Sequence, residues 1–279
     1  MKIVTTITDL RTELAKHRKS GKTIGCVPTM GALHEGHMAL VKKSASQNDF
    51  TVVSIFVNPI QFGKNEDLDK NPRRLDADAS LCAKNGAGLI FAPTMESMYS
   101  ADHQTYVYNE PLQDLYCGQY RPGHFRGVLT VVAKLFLAMQ PDSAYFGRKD
   151  YQQAFMIQKM VEDLNFPIKI VIIPISREKS GLARSSRNEF LSTSDRNNAA
   201  CIYQGLCAAK EEYDEGEVSV EVLRTIVRGA IDHSGGKVQF VEIVSRKTLL
   251  PITGELTEKA TILVAAFFGV TRLIDNIEL

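Results

Sequence analysis

The stretch PTMGALHEGH, residues 28–37, sets two imidazoles, His34 and His37, and two glycines, Gly31 and Gly36, behind the apolar run TIGCV at 23–27. A spacing of three puts both histidines on one face of a helix, near its start. At that end the first backbone N–H groups lack intrahelical partners and the helix dipole adds partial positive charge, so an anion is attracted there. Gly31 and Gly36 let the backbone come close to such an anion. The chemistry these residues support is hydrogen-bond donation to a polyphosphate as negative charge builds on it. Two other readings share the same side chains: a metal site from the histidines and Glu35, and histidines that only decorate a helix surface. The stretch is neither GxxxxGK[ST] nor GxGxxG, and HEGH lacks the HExxH spacing of a zincin helix.

Other polar clusters repeat the pattern. Asn58 and Gln61 in FVNPIQFG are neutral amides, able to donate to some substrate oxygens and accept from hydroxyls, or simply to cap a turn. In GRKDYQQ, residues 147–153, Lys149 offers a compact charge to phosphate and Asp150 can orient a donor or a metal-bound water, or cap the next helix. ARSSRN at 183–188 carries two hydroxyls and a guanidinium on what reads as a mobile loop, either closing over phosphate or merely solvated. Arg121, His124 and Arg126 stand just before the apolar helix pattern in CGQYRPGHFRGVLTVVAKLF.

The elements that must position these groups alternate. DLRTELAKHRKSGK reads as a helix buried through Leu10 and Leu14 and ending at Gly21, TIGCV as a strand, LHEGHMALVKKSASQ as a helix, and FTVVSIFV (50–57) as a strand. Helix and strand patterns then recur through PRRLDADASLCAKNG, AGLIFAP, FRGVLTVVAKLFLAM, DSAYFG, YQQAFMIQKMVEDLN and PIKIVIIPI. This implies an α/β fold, a Rossmann-like doubly wound parallel sheet, over residues 1–175. Ligands of such sheets bind outside the carboxyl ends of the strands where strand order reverses, and most of the polar clusters lie just after a strand. From Ser176 the texture changes: a polar stretch, helices near 195–213 and 218–233, then strands VQFVEIV and TILVAAFF and a short final run. That predicts a second, smaller α+β domain over 176–279, hinged near Ile175–Ser176.

Composition narrows the class. With 279 residues, 44% apolar and 23% charged, the chain has the makings of a large core and no sign of wholesale disorder. A net charge of +1 gives no reason to expect nucleic acid as a partner. Five cysteines with no CxxC pair suit a reducing compartment. The N-terminal stretch has no continuous apolar signal core, and no window of about 18 uninterrupted apolar residues exists, so the expectation is a soluble cytoplasmic protein without a membrane partner.

HEGH behind PTMGAL resembles the HIGH-type motif of the nucleotidyltransferase superfamily that includes class I aminoacyl-tRNA synthetases. Together with VSIFVNPIQF, RPGHFRGVLTVVAKLF, GRKDYQQ and SSRN, in the same order over residues 23–191, it is similar to the pantoate–β-alanine ligase family. The resemblance implies condensation of pantoate with β-alanine at the expense of ATP, by way of a pantoyl-adenylate, with Mg²⁺ accompanying ATP and a homodimeric chain. It implies ATP contacts from Met30, Gly31, Ala32, Leu33, His34, Glu35, Gly36 and His37, from Gly147, Arg148, Lys149 and Asp150, and from Ser176, Arg184, Ser185, Ser186 and Arg187. Among these, His34, His37, Lys149 and Arg187 take the catalytic roles. Gln61, Gln153 and Asn58 would meet pantoate, Gln61 also β-alanine, and Asp78 the metal. Several positions depart from the family pattern: Arg184 replaces an apolar residue before SSRN, Asn71 a tyrosine, and Ala77 and Leu81 polar groups beside Asp78. A nucleotidyltransferase that keeps its nucleotide product, and a non-catalytic nucleotide-binding module, are the alternatives from other classes. Transfer-RNA ligation lacks room for an anticodon-binding domain.

Overall fold

The computed structural model describes residues 1–63 and 74–279. The chain runs β1 (Lys2–Val4), α1 (Ile7–Lys19), β2 (Ile24–Thr29), α2 (Glu35–Gln47), β3 (Phe50–Ile55), α3 (Leu75–Lys84), β4 (Leu89–Phe91), α4 (Met95–Met98), α5 (His124–Met139), β5 (Ser143–Gly147), α6 (Tyr151–Asp163) and β6 (Lys169–Ile173). Continuing, α7 (Thr193–Asn198), α8 (Cys201–Asp214) and α9 (Val220–His233) precede β7 (Lys237–Ser245), β8 (Ala260–Phe268) and β9 (Thr271–Glu278). Two compact units result: Met1–Arg148 with Gln153–Pro174, and Lys149–Gln152 with Ile175–Leu279.

In the first unit six strands form one parallel sheet in the order β1-β4-β3-β2-β5-β6. The chain winds outward from β2 through β3 and β4, then returns to the other side of β2 for β5 and β6. The reversal therefore lies between β2 and β5. Those two strands pair only at Gly25↔Ser143 and Cys26↔Ala144, whereas β2 stays with β3 as far as Thr29↔Ile55 and β5 with β6 as far as Gly147↔Ile173. Their carboxyl ends part, and the parting opens the sheet where PTMGALHEGH leaves β2.

Local chemistry explains the elements. Thr6 caps α1 by accepting from the Asp9 N–H, Leu10 and Leu14 are fully buried, and Gly21 takes the left-handed φ of +70° that ends the helix. Helix α2 lies directly on β2 because residue 25 is glycine: a Cβ there would sit 2.1 Å from Ser44 Oγ and 2.6 Å from Asn48 Nδ2. The strand expected over 50–57 ends at Ile55, and β1 and α4 are too short for periodicity to reveal.

The second unit holds a three-stranded antiparallel sheet, β7-β8-β9. Helix α9 is capped by Ser219 and buries Val220, Leu223, Val227 and Ile231, one stripe at helical spacing. Each buried aliphatic of that stripe contributes about 2 kcal/mol. The helix expected near 195–213 is two helices, α7 and α8, parted at Ala199–Ala200. Among the described residues no helix is long and apolar enough to cross a membrane.

Candidate active site

Thr29 closes β2 by donating its hydroxyl to the Ser54 carbonyl at 2.6 Å. The chain then turns through two left-handed residues, Gly31 (φ +88°) and Ala32 (φ +50°). An alanine in that region costs roughly 1–2 kcal/mol, so something must hold it. Asp78, buried in the first turns of α3, does so: Oδ2 accepts from the Ala32 N–H and Oδ1 from the Leu33 N–H, each at 3.0 Å. The carboxylate is committed to the loop. In this structure both oxygens serve the backbone, which makes Asp78 an anchor of the turn before α2. Beside it, Leu81 packs on the core of the first unit.

His34 is the N-cap of α2. Its Nδ1 accepts from the Gly36 N–H at 3.1 Å, and the Nδ1 of His37 accepts from the His34 N–H at 3.3 Å. The reciprocal pair is a capping box made with imidazoles in place of a hydroxyl and a carboxylate. A backbone N–H can only donate, so both Nδ1 atoms carry lone pairs and both protons sit on Nε2. The rings lie 4.1 Å apart between centroids. Both imidazoles thus cap the helix; among the described residues no group of three or more His, Cys, Asp or Glu that could hold a metal ion converges.

Asn58 and Gln61 bracket a 3₁₀ turn at Pro59–Gln61, and the Asn58 side chain makes no capping bond to it. It is instead the centre of a buried network. Tyr99 donates its hydroxyl to Asn58 Oδ1 at 3.0 Å, and Asn58 Nδ2 donates to Gln61 Oε1 and to the Gly127 carbonyl, both at 3.0 Å. Because the Gly127 carbonyl can only accept, Asn58 has one permitted orientation, and Gln61 must offer its amide nitrogen outward. That nitrogen lies 3.1 Å from Met30 Sδ. Burial pushes the Tyr99 phenol up, which keeps it a neutral donor. Gly127 is obligatory, since a Cβ would sit 2.5 Å from Gln61 Cα. His124 completes the support from α5: its Nδ1 bonds the Gln61 carbonyl and its Nε2 bonds Arg121 Nη1, each at 2.9 Å. A carbonyl accepts and a guanidinium donates, so the His124 proton is on Nδ1, opposite to His34 and His37. Asn58, only 1% exposed, positions Gln61 from below. Sequence reading missed Tyr99, which lies in a segment of no periodicity.

Gly147 closes β5 with no neighbour within 4 Å of where a Cβ would be, and its φ is not left-handed. Packing does not require glycine there. Arg148–Asp150 then make a 3₁₀ turn that runs into α6, whose first turn carries Gln153, half-buried. In the second unit Lys149 lies 3.8 Å from Asp150. Lys149, Ser185 and Arg187 line one cleft with Arg272 and Asp275, floored by Leu182 and Ile202. Ser186, Arg184 and Ser176 are not among its lining.

The stretch read as a loop is a hydrogen-bonded hairpin. Arg177 bridges Ala183, the Arg184 N–H donates to the Ser176 carbonyl at 2.9 Å, and Arg184 Nε donates to the Arg177 carbonyl at 3.2 Å. Ser185 then caps a 3₁₀ turn over Ser186–Phe190. Buried Asn188 donates to Glu178 Oε1 and to the Ala183 carbonyl, and Glu178 takes two further bonds from Arg196. Those bonds from Arg196 hold the Glu178 carboxyl below the usual glutamate range, burial opposing them and Asn188 assisting. Asn71, one of the departures from the family pattern, lies outside the described residues.

A parallel sheet that parts at its reversal point, with an imidazole-capped helix N-terminus rising from the parting, defines a Rossmann-like α/β protein, a class whose ligands bind at the switch point. The comparisons carry this further. The pantothenate synthetase of Sulfurihydrogenibium sp. (strain YO3AOP1) is 48% identical over 281 residues, covering the whole of both chains. A crystal structure of pantothenate synthetase from Thermus thermophilus is similar with a TM-score of 0.93 at 43% identity, covering 100% of this chain and 99% of that one. Pantoate-β-alanine ligase from Francisella tularensis, complexed with β-γ ATP and β-alanine, is similar with a TM-score of 0.80 at 33% identity over 100% of this chain and 97% of that one. The family model for pantoate-β-alanine ligase matches residues 2–278, and the chain belongs to that family of ligases.

Proposed function

We propose that this chain joins (R)-pantoate to β-alanine with ATP, releasing pyrophosphate and AMP by way of a pantoyl-adenylate. The observation that carries the reading is the imidazole capping box, which fixes both Nδ1 atoms as acceptors and puts the proton of each ring on Nε2, beside a helix N-terminus. In the first step a pantoate carboxylate oxygen attacks the α-phosphorus of ATP, the bond to the bridging oxygen breaks, and pyrophosphate leaves. A carboxylate is nucleophile enough to need no base. What the step needs is alignment and donors for developing charge, supplied by His34, His37, Lys149 and Arg187. Gln61 offers its amide N–H₂ to pantoate oxygens, held by Asn58 and Tyr99, with Gln153 as the second amide. In the second step the β-alanine amine, close to Gln61, attacks the acyl carbon, the bond to phosphate breaks, AMP leaves, and the new amide nitrogen gives up its proton.

The remaining ATP contacts in this reading are those of Met30–His37, Gly147–Asp150, Ser176 and Arg184–Arg187. Magnesium enters this reading with the substrate as MgATP, with Asp78 as the carboxylate nearest to hand for it, and it would offset charge on the leaving pyrophosphate.

The test is pyrophosphate release by purified protein with MgATP and pantoate, with AMP followed with and without β-alanine. The expected result is pantoate-dependent pyrophosphate and sustained AMP only when β-alanine is added. Pyrophosphate release indifferent to pantoate would assign the phosphate cradle to another acceptor. ATP binding without any release would leave a binding module.

A further inference from the structure

We infer that Asp275 and Asn276, neighbours on β9, are positioning residues that hold Lys149 and the Ser185–Arg187 loop in one frame for the triphosphate. The inference rests on the function proposed above. Asn276 Nδ2 donates to the Lys149 carbonyl at 3.1 Å across 127 residues of sequence. The Asn276 N–H donates to Asp275 Oδ1 at 2.8 Å, so the two residues act as one unit. Asp275, its side chain 3% exposed, takes Arg177 in a fork: Oδ2 accepts from Nη1 at 2.6 Å and Oδ1 from Nη2 at 3.0 Å. The same guanidinium donates to the Gly181 carbonyl at 3.0 Å and lies 3.6 Å from the Tyr203 ring centroid. Arg177 is also the residue that bridges Ala183, two positions before Ser185. One buried dipeptide thus fixes the backbone of the lysine and the base of the serine–arginine loop.

Stability alone does not account for this arrangement. Asp275 and Asn276 stand in register with Val264 and Leu263 of β8, an almost wholly apolar strand, where apolar partners would pack at least as well. A buried ion pair is a poor source of stability compared with apolar residues of the same volume. It does define geometry, because a forked guanidinium–carboxylate pair permits one orientation. Lys149, Ser185 and Arg187 line one cleft in which Asp275 also appears, so the frame lies where the phosphate chemistry is proposed.

The two half-reactions separate positioning from general support. Pyrophosphate is present only in adenylation, so a displaced Lys149 and loop should harm that step and spare the attack of β-alanine on preformed pantoyl-adenylate. The full-length variants Asn276→Ala and Arg177→Lys, the latter keeping a cation but losing the fork, are measured beside the parent chain. Readouts are pantoate-dependent exchange of labelled pyrophosphate into ATP, the KM values for MgATP and pantoate, β-alanine attack on supplied pantoyl-adenylate, and Tm. The expected result is a loss of about 10- to 100-fold in kcat/KM for MgATP during exchange, as for a small misplacement of reacting groups. The KM for pantoate and the β-alanine step should stay at parent values. Exchange at the parent rate in either folded variant overturns the inference. So does a loss shared by both half-reactions in proportion to Tm, which marks a structural role only. A parent chain that exchanges no pyrophosphate with pantoate removes the proposed function itself, and this inference with it. If Asn276→Ala does not fold, Arg177→Lys answers the same question alone.

Discussion

His34 and His37 are held by atoms two and three residues away, whereas the serine–arginine loop of the second unit is held by Asp275, 98 residues further along the chain from Arg177. The first region is a local construction. Once α2 begins, the two Nδ1 atoms meet backbone N–H groups within three residues of themselves. The second is a long-range construction: Arg177, Glu178 and Asn188 have their partners on β9, on α7 and within the hairpin itself. Local construction lets the cap and the chemistry reside in the same side chain. The second region adds remote support to a local cap: Ser185 lines the cleft and caps its own turn, while Arg177, Glu178 and Asn188 supply the rest of the geometry.

The sharpest way to break that comparison is at residue 34, where capping and donation must be prised apart. Asparagine is among the best N-cap residues and alanine among the poor ones, with about 1 kcal/mol between them. His34→Asn should keep the stability of the parent, while His34→Ala loses about that amount in denaturant unfolding. Both should lose pantoate-dependent pyrophosphate exchange by about 10²- to 10³-fold, the usual cost of one donor to developing charge. If His34→Asn exchanges at the parent rate, the imidazole is only a cap and the Nε2–H has no part in the reaction.

Asp78 is the place where the first region is not local, and a smaller effect should follow there. Asp78→Asn keeps the shape but turns an amide N–H₂ toward one of two backbone donors, leaving a buried N–H unpaired at a cost of about 1–3 kcal/mol. Exchange should fall about tenfold through a loosened Ala32–Leu33 turn, with the Mg²⁺ concentration for half-maximal rate unchanged. A marked rise in that Mg²⁺ requirement would return Asp78 to the metal and refute the anchor. This residue also shows what sequence reading can and cannot reach. The alternating sheet and the HEGH helix follow from periodicities and spacings of a few residues, and both were legible. An aspartate 45 positions from Leu33 looks the same in sequence whether it faces a cation or two N–H groups. The same holds for Asn58, which reads as a ligand or a turn cap and whose bonds to Tyr99, Gly127 and Gln61 no local pattern announces. The hairpin before SSRN was hidden for a related reason: its bonds are polar, and that from Arg177 is remote, so no apolar period announces them.

The smallest effect concerns the remote clamp at Glu178. Arg196 holds its carboxyl below the ordinary glutamate range, so the folded state binds that proton less readily than the unfolded chain does. The resulting stability is present above the unfolded-state pKa and is lost as pH falls through the folded value. Arg196→Ala should therefore lower Tm at neutral pH, and the difference from the parent should shrink as the pH drops below the usual glutamate range. Arg196 is half exposed, so screening limits the pair to about 0.2–1 kcal/mol, and added salt should narrow the difference further. A gap between parent and Arg196→Ala that stays constant from neutral to acidic pH would show that the clamp works by packing of the guanidinium stem and not by charge.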